Sequence, residues 1–463
     1  MNKKQVKNNK GITLLTLSVT IIVLLILAGI TIGTVLDDNG IISKAQESKN
    51  KLGDMVNSDY EQLNSLLDEY NNIMDTSYIN IQETHTTTSI TLTVDTNKEN
   101  ITEYEFFING QSYGKQKDKT FTTNIELANK EPYIPSGFEH TEGTVDTGYV
   151  IKDVSIGNEF VWIPVKSGIF TVYVTATDEN GNVIKSSEKT IGISELTREV
   201  KGRNIVYTDW EEDDENINDK TSIAYFKDSA IKNSGFYMGR YEMGMPGQKS
   251  GDEPILDTNI NERDIKGTPV CVADVMPWTY ISWNTAKENL ESMYTGEVQS
   301  AMLNSYARTT TLNWIIDTGA KTLDELLDSS SYGNYSAANN GKDYSFKGYY
   351  YVYSGYEIQN EGKATDYESI LNLSDGFLFN VLINTGANTQ QNKRNQINNI
   401  YDLAGNTFEW STEKRKSEIG YRKSGGSFTS GSSAYPAIDN NKGIIQYGTM
   451  GDYETSSRPI LYK

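Results

Sequence analysis

The chain has 463 residues, 62 of them acidic against 42 basic, and a formal net charge of −20. Its lysines and arginines are scattered and Trp210–Asn216 (WEEDDEN) is acidic, which excludes binding to nucleic acid through phosphates. The length exceeds one hydrophobic core and predicts two or three domains. A single cysteine, Cys271, permits no intrachain disulfide, and the two histidines, His85 and His140, lack the spacing of metal ligands.

Lys3, Lys4, Lys7 and Lys10 precede an apolar run, Ile12–Val35, with no charge before Asp37. As a helix that run is long enough for a hydrocarbon core of about 30 Å. Basic residues on its N-terminal side and Asp37-Asp38 beyond it place the N-terminus in the cytoplasm. The expectation is a protein held in the cell membrane by one N-terminal helix, its bulk extracellular. An exported chain without disulfides suits a Gram-positive surface better than an oxidising periplasm. The run is too long for a cleaved secretory signal; a plain signal anchor stays open. The segment KGITLLTLSVTIIVLLILAG also resembles the opening of type IV prepilins. That resemblance implies cleavage by a prepilin peptidase between Gly11 and Ile12, with other pilin subunits as partners. Thr16 stands where that family usually carries a glutamate. The departure implies a subunit with none above it, as at a pilus tip, or one that does not polymerise.

Ile41–Ile73 keeps apolar residues at roughly helical spacing, with Asn39-Gly40 as a candidate break. A leader over 1–11 and a transmembrane and stem helix over 12–75 are therefore expected. From Tyr78 the period changes to two. SITLTV, EYEFFINGQSY and TFTTNIEL read as strands, with a tight turn at Asn109-Gly110. Ile169–Thr177 and Val183–Ile191 flank another turn. FTVYVTATDENGNV resembles the last hairpin of immunoglobulin-like or fibronectin-like surface modules. Together 76–127 and 166–194 are expected to form one β-sandwich, entered and left near Asn129 and Lys166.

The stretch between, Tyr133–Val165, has a different character. With GFYMGRYE at Gly235–Glu242, WTYISWNTA at Trp278–Ala286, IYDLAGNTFEW at Ile400–Trp410, GGSF at Gly425–Phe428 and SRPILY at Ser457–Tyr462, it resembles the formylglycine-generating-enzyme, or sulfatase-modifying-factor, family. The resemblance implies a C-type-lectin-like domain over 128–165 plus 195–463. The expected fold class is thus α+β: a long N-terminal helix, an immunoglobulin-like sandwich and a C-terminal lectin-like domain. Read as residues, Trp278, Trp283, Trp314 and Trp410 are core groups, and Glu409 between Phe408 and Trp410 needs a buried partner such as Arg458. Gly405, Gly425 and Gly426 mark turns or close approaches. Ser282–Tyr294 reads as an amphipathic helix capped by Ser282 or Asn284, and Leu312–Thr318 and Thr322–Leu327 as shorter helices.

The family's oxidation of a substrate cysteine relies on a pair of copper-binding thiolates. Cys271 alone cannot supply the pair, and two distant histidines cannot build the iron site of other relatives, so an enzyme is not expected. Cys271 reads as a small buried apolar residue. The resemblance implies calcium at Asn406, Phe408 and Glu409; a structural hydrogen-bond role for Glu409 stays equally open. No cofactor is required otherwise.

Phe428–Tyr453 (FTSGSSAYPAIDNNKGIIQYGTMGDY) is rich in Tyr, Ser, Gly and Asn. Tyrosine gives rigid amphipathic contact area and the small polar residues give adaptable hydrogen bonds, as in antibody loops. The candidate ligand-binding residues are Thr429, Ser430, Ser432, Tyr435, Asn440, Asn441, Lys442, Tyr447 and Tyr453. The layout resembles variable proteins of diversity-generating retroelements, which diversify this region. The expected function is adhesin-like binding of an unknown extracellular protein or glycan by a pilin-like surface protein. A membrane-anchored sulfatase-modifying-factor-like enzyme is the alternative, and ordinary solvated loops the plainest reading of the segment.

Overall fold

Alternation of Ile, Val and Tyr with Thr and charged residues builds the first sheets of the computed structural model. It describes residues 78–203, 210–212, 216–255, 263–337, 343–376, 378–389, 394–416, 420–438, 444–446 and 451–463. The first strands are β1 (Ile79–His85), β2 (Ser89–Thr96), β3 (Ile101–Ile108), β4 (Gln111–Gln116) and β5 (Thr120–Asn124). There follow β6 (Phe138–Glu142), β7 (Val150–Asp153) and β8 (Glu159–Pro164), then β9 (Ser167–Asp178), β10 (Val183–Lys185) and β11 (Lys189–Ser194). One sheet has the order β1-β2-β5; the facing one runs β10-β9-β3-β4, with β11 also on β9. Ile90, Leu92 and Val94 of β2, Tyr104, Phe106 and Ile108 of β3, and Phe170, Val172 and Val174 of β9 are buried in one shared core. Period-two alternation puts each set on one face. Phe106 stacks on Phe121 of the other sheet at 5.3 Å.

The antiparallel register of β3 on β9, with Phe106 opposite Val174, draws the chain on both sides of β6–β8 into this sandwich. The passages out and back are themselves paired: Ala128 and Ser167 exchange both backbone hydrogen bonds at 3.0 Å. Between them, β6–β8 belong to a six-stranded sheet. With β12 (Trp210–Glu212), β13 (Gly235–Gly239), β14 (Gln299–Met302) and, near the end of the chain, Pro459–Tyr462, the later strands begin. Pro459–Tyr462 lies between β14 and β13, and β13 lies on β8. Both faces of this sheet are covered. Val161, Ile163, Phe236 and Met238 pack towards helices α1 (Ile223–Lys232) and, beyond α2 (Trp283–Glu291), α3 (Ser305–Asp317). Trp162, Tyr237 and Leu461 fill the opposite face.

Local chemistry sets the helix ends. Ser222, Ser282 and Asn304 accept from the amides of Tyr225, Thr285 and Ala307, and so cap α1, α2 and α3. Thr322 and Glu325 make a capping box for α4 (Leu323–Leu327). A long hairpin follows, β15 (Ser345–Ser354) with β16 (Glu357–Ser369), flanking the short helix α5 (Ile370–Leu373) and joined by β17 (Asn380–Ile383) and β18 (Asn388–Thr389). The chain ends through β19 (Gln396–Ile397), β20 (Ile400–Tyr401), β21 (Phe408–Arg415), β22 (Tyr421–Ser424), β23 (Ile444–Gln446), β24 (Thr455–Ser456) and β25 (Pro459–Tyr462).

Two expectations are corrected here. Strands, in several antiparallel sheets, dominate the described residues, so the fold is not a long N-terminal helix leading an α+β protein. The reason is the extent of β-branched and aromatic alternation, which favours pleated strands over helix. No helix among the described residues is long and apolar enough to cross a membrane. The longest, α3, has 13 residues and carries Arg308 and Asn313, whereas a crossing needs about 20 apolar ones. Against the expected anchoring in a membrane by an N-terminal helix, the described residues offer no such helix. The stretch on which it rested, 1–77, lies outside the described residues, as do the processing positions Gly11 and Ile12.

Candidate functional site

The polar centre of the second half lies on β21 and the turn before it. Phe408, Glu409 and Trp410 are all buried. Glu409 accepts from Arg458 Nε through Oε1 at 2.5 Å and from Arg308 Nη1 through Oε2 at 3.0 Å. Arg458 also donates to the carbonyls of Gly239 and Tyr401, and Arg308 to that of Ala437. Asn406 adopts a left-handed backbone with φ of 62°. Its amide nitrogen donates to Glu242 Oε2 at 2.6 Å, and its oxygen accepts from Asn334 Nδ2 and the Ile383 amide. Burial, and then the neighbouring Asp402, hold Glu242 well above the ordinary carboxylate range. Burial pushes Asp402 itself up to about 6, against hydrogen bonds from Gly386, Thr385 and Asn395.

This geometry does not fit calcium at Asn406, Phe408 and Glu409. Calcium takes six to eight oxygen ligands from carboxylates, carbonyls and waters. Both Glu409 oxygens face guanidinium groups instead, the Asn406 oxygen is already taken by two N–H donors, and Phe408 pairs with Thr455 in a parallel ladder. No group of three or more His, Cys, Asp or Glu side chains among the described residues could hold a metal ion. Cys271 is fully buried, its Sγ set against the carbonyls of Glu159 and Tyr241. Burial pushes its thiol up to about 11, away from nucleophilic reactivity.

Tyrosine side chains gather instead on the β15–β16 hairpin. Strand alternation sends Phe346 and Val352 into a core with Val381 and Ile383, Tyr350 packing against it. Tyr351 and Tyr353 lie on the opposite face with Met276, Leu382 and Phe428, and Tyr349 and Tyr453 pack beside them. Across the ladder Tyr349 faces Lys363, Tyr350 faces Gly362 and Tyr351 faces Glu361. Lys363 Nζ stands 4.4 Å above the Tyr349 ring. A Cβ on Gly362 would meet the Tyr350 hydroxyl at 2.7 Å, so glycine lets that ring lie across β16.

The strip continues onto the C-terminal segment. Tyr353 lies 5.2 Å from the rings of both Phe428 and Tyr453. Tyr453 meets Tyr356 edge-on at 5.0 Å, and Tyr356 is 77% exposed. A groove of about 400 Å³ runs along one end, lined by Glu253, Pro254, Tyr349, Tyr351, Glu361 and Lys363 among others. A larger cavity of about 570 Å³ lies beside Lys166, Lys201 and Trp314. There Lys201 is paired with Asp317 and Lys166 with Glu195.

Of the residues expected to bind a ligand, only Tyr453 joins this strip. Thr429 donates to Glu454. Ser430 and Ser432 are buried. Tyr435 sets its ring edge-on to Phe408 at 5.6 Å, and its carbonyl accepts from the Tyr335 hydroxyl. Asn440, Asn441, Lys442 and Tyr447 lie outside the described residues. Tyr349, Tyr351, Tyr353 and Tyr356 went unremarked in the sequence. Their signal is the run GYYYVYSGY, in which alternate tyrosines share a face once the segment is taken as a strand. Compared with models of known protein families, with curated proteins and with solved structures, the chain finds no match.

Proposed function

We propose that this protein is an adhesin-like binding protein rather than a catalyst, and that it takes a protein or glycan ligand on the tyrosine strip of the β15–β16 hairpin and the C-terminal segment. The single observation that carries this reading is the packing of Tyr453 between Tyr353, tilted against it, and the exposed Tyr356, set edge-on to it. Aromatic side chains held by one another offer contact area at small entropic cost, the property that makes tyrosine prominent in binding surfaces. The resemblance to formylglycine-generating enzymes supports the same reading by what is missing, because Cys271 has no second thiol with which to bind copper.

The test is a glycan and protein array probed with the full chain. A ligand retained by the parent and lost by Tyr356→Ala and Tyr453→Ala is expected. Copper-dependent oxidation of a cysteine peptide, or ligand capture unaffected by both substitutions, would overturn the proposal.

A further inference from the structure

We infer that the groove between Glu253-Pro254 and the Tyr349–Tyr351 face of the hairpin is a subsite for a neutral hexopyranose ring; this rests on the binding-protein reading and names its ligand class. Four observations converge on it. The cavity, about 400 Å³, lies within the roughly 300–1,000 Å³ of small-molecule sites. Tyr349 and Pro254 are among the residues that line it. Glu253, Glu361 and Lys363 ring it with two acceptor groups and one donor. Tyr351, only 3% exposed, lines it with a buried hydroxyl that has no hydrogen-bond partner among the described residues. A buried hydroxyl without a partner costs roughly 1–3 kcal/mol. A ligand hydroxyl supplied from the groove would remove that cost.

The same groups decide the ligand's chemistry. An anion such as a phosphate would meet Glu253 and Glu361 on a chain of net charge −20. An organic cation would compete with Lys363, which already places its ammonium over the Tyr349 ring. A peptide strand would add to the hydrogen-bonding edge of β16, not to the face that lines the groove. A pyranose matches what remains. Its C–H groups suit the apolar lining at Pro254, and its rim of hydroxyls can donate to carboxylates and accept from an ammonium or a phenol.

Saturation-transfer NMR on the full chain with the methyl glycosides of glucose, galactose and mannose tests this. Ring-proton signals are expected with at least one of them. Tyr351→Phe, which keeps the ring and removes only the hydroxyl, should weaken binding about threefold to tenfold. Tyr349→Ala should weaken it about tenfold or more. Signals unchanged in both groove variants would overturn the subsite. Absence of signal with all three glycosides, alongside an array ligand that depends on Tyr453, would overturn the subsite and leave the binding strip standing. Loss of every ligand in both assays would remove the two together.

Discussion

Arg458 and Glu409 form an ion pair in which neither side chain exposes more than 1% of its surface. Arg308 closes the other side of the same carboxylate at 3.0 Å. Removing one member of such a group leaves buried charge without compensation, at a cost of about 3–5 kcal/mol. Glu409→Ala is therefore expected to lower unfolding stability by that amount, read from urea titrations. A loss under about 1 kcal/mol would show that the two guanidiniums are satisfied by their carbonyl partners alone.

Stability should fall as pH rises from about 4 to 7. Asp402 is raised to about 6 and half-buried Glu212 to about 7, the first by burial, the second by burial and then Glu413. Glu242 is likewise raised well above the ordinary carboxylate value, by burial first. In this window the folded protein holds protons that the unfolded chain, with carboxylates near 4, has released. Unfolding releases them, so the contribution is complete below the unfolded value and is lost through about 6 and 7. The urea midpoint should decline over that range, and Asp402→Asn should flatten the decline. A midpoint that climbs from pH 4 to 7 would reverse the argument.

Gly405 carries φ of 76°, and a Cβ there would lie 2.4 Å from the Asn334 carbonyl oxygen. Gly405→Ala is expected to cost about 3 kcal/mol, combining left-handed strain with a backbone clash. Gly110 has the same φ of 76° and open space around it, so Gly110→Ala should cost only about 1–2 kcal/mol. Equal thermal shifts for the two would contradict this ranking.

Cys271, buried and pushed up to about 11, should resist iodoacetamide at pH 8 in the folded protein and react once urea has unfolded it. Labelling of the native chain at the rate of a free thiol would place the sulfur at the surface instead.

Much of the strand pattern was legible because period two is hard to disguise. Ile90, Leu92 and Val94 of SITLTV, and Phe170, Val172 and Val174 of the FTVYVTAT hairpin, are the residues the core takes. Ser282 caps α2 as its position suggested. Gly405, Gly425 and Gly426 all have positive φ and close backbone or side-chain neighbours. Helix α3 is longer than the sequence suggests, since Ser305–Thr311 shows no apolar stripe: buried Arg308, Thr310 and Thr311 carry its face through hydrogen bonds. In the expected binding segment, the serines at 430 and 432, taken as ligand-binding positions, are buried. Nothing local in SGSSAY distinguishes a polar residue packed under a loop from one pointing at water. The tyrosines of β15 are hard to place from sequence because three of them are consecutive, which hides the alternation that separates Tyr350 from Tyr349 and Tyr351.

The paired passages at Ala128 and Ser167 have a mechanical consequence. A single linker transmits pull but lets the bodies on either side swivel about its bonds. Two adjacent linkers, hydrogen-bonded to each other, carry load in parallel and resist twist. A protease that nicks one passage leaves the other intact, and β3 still holds β9 across the cut. The sandwich therefore cannot be shed by a single cleavage.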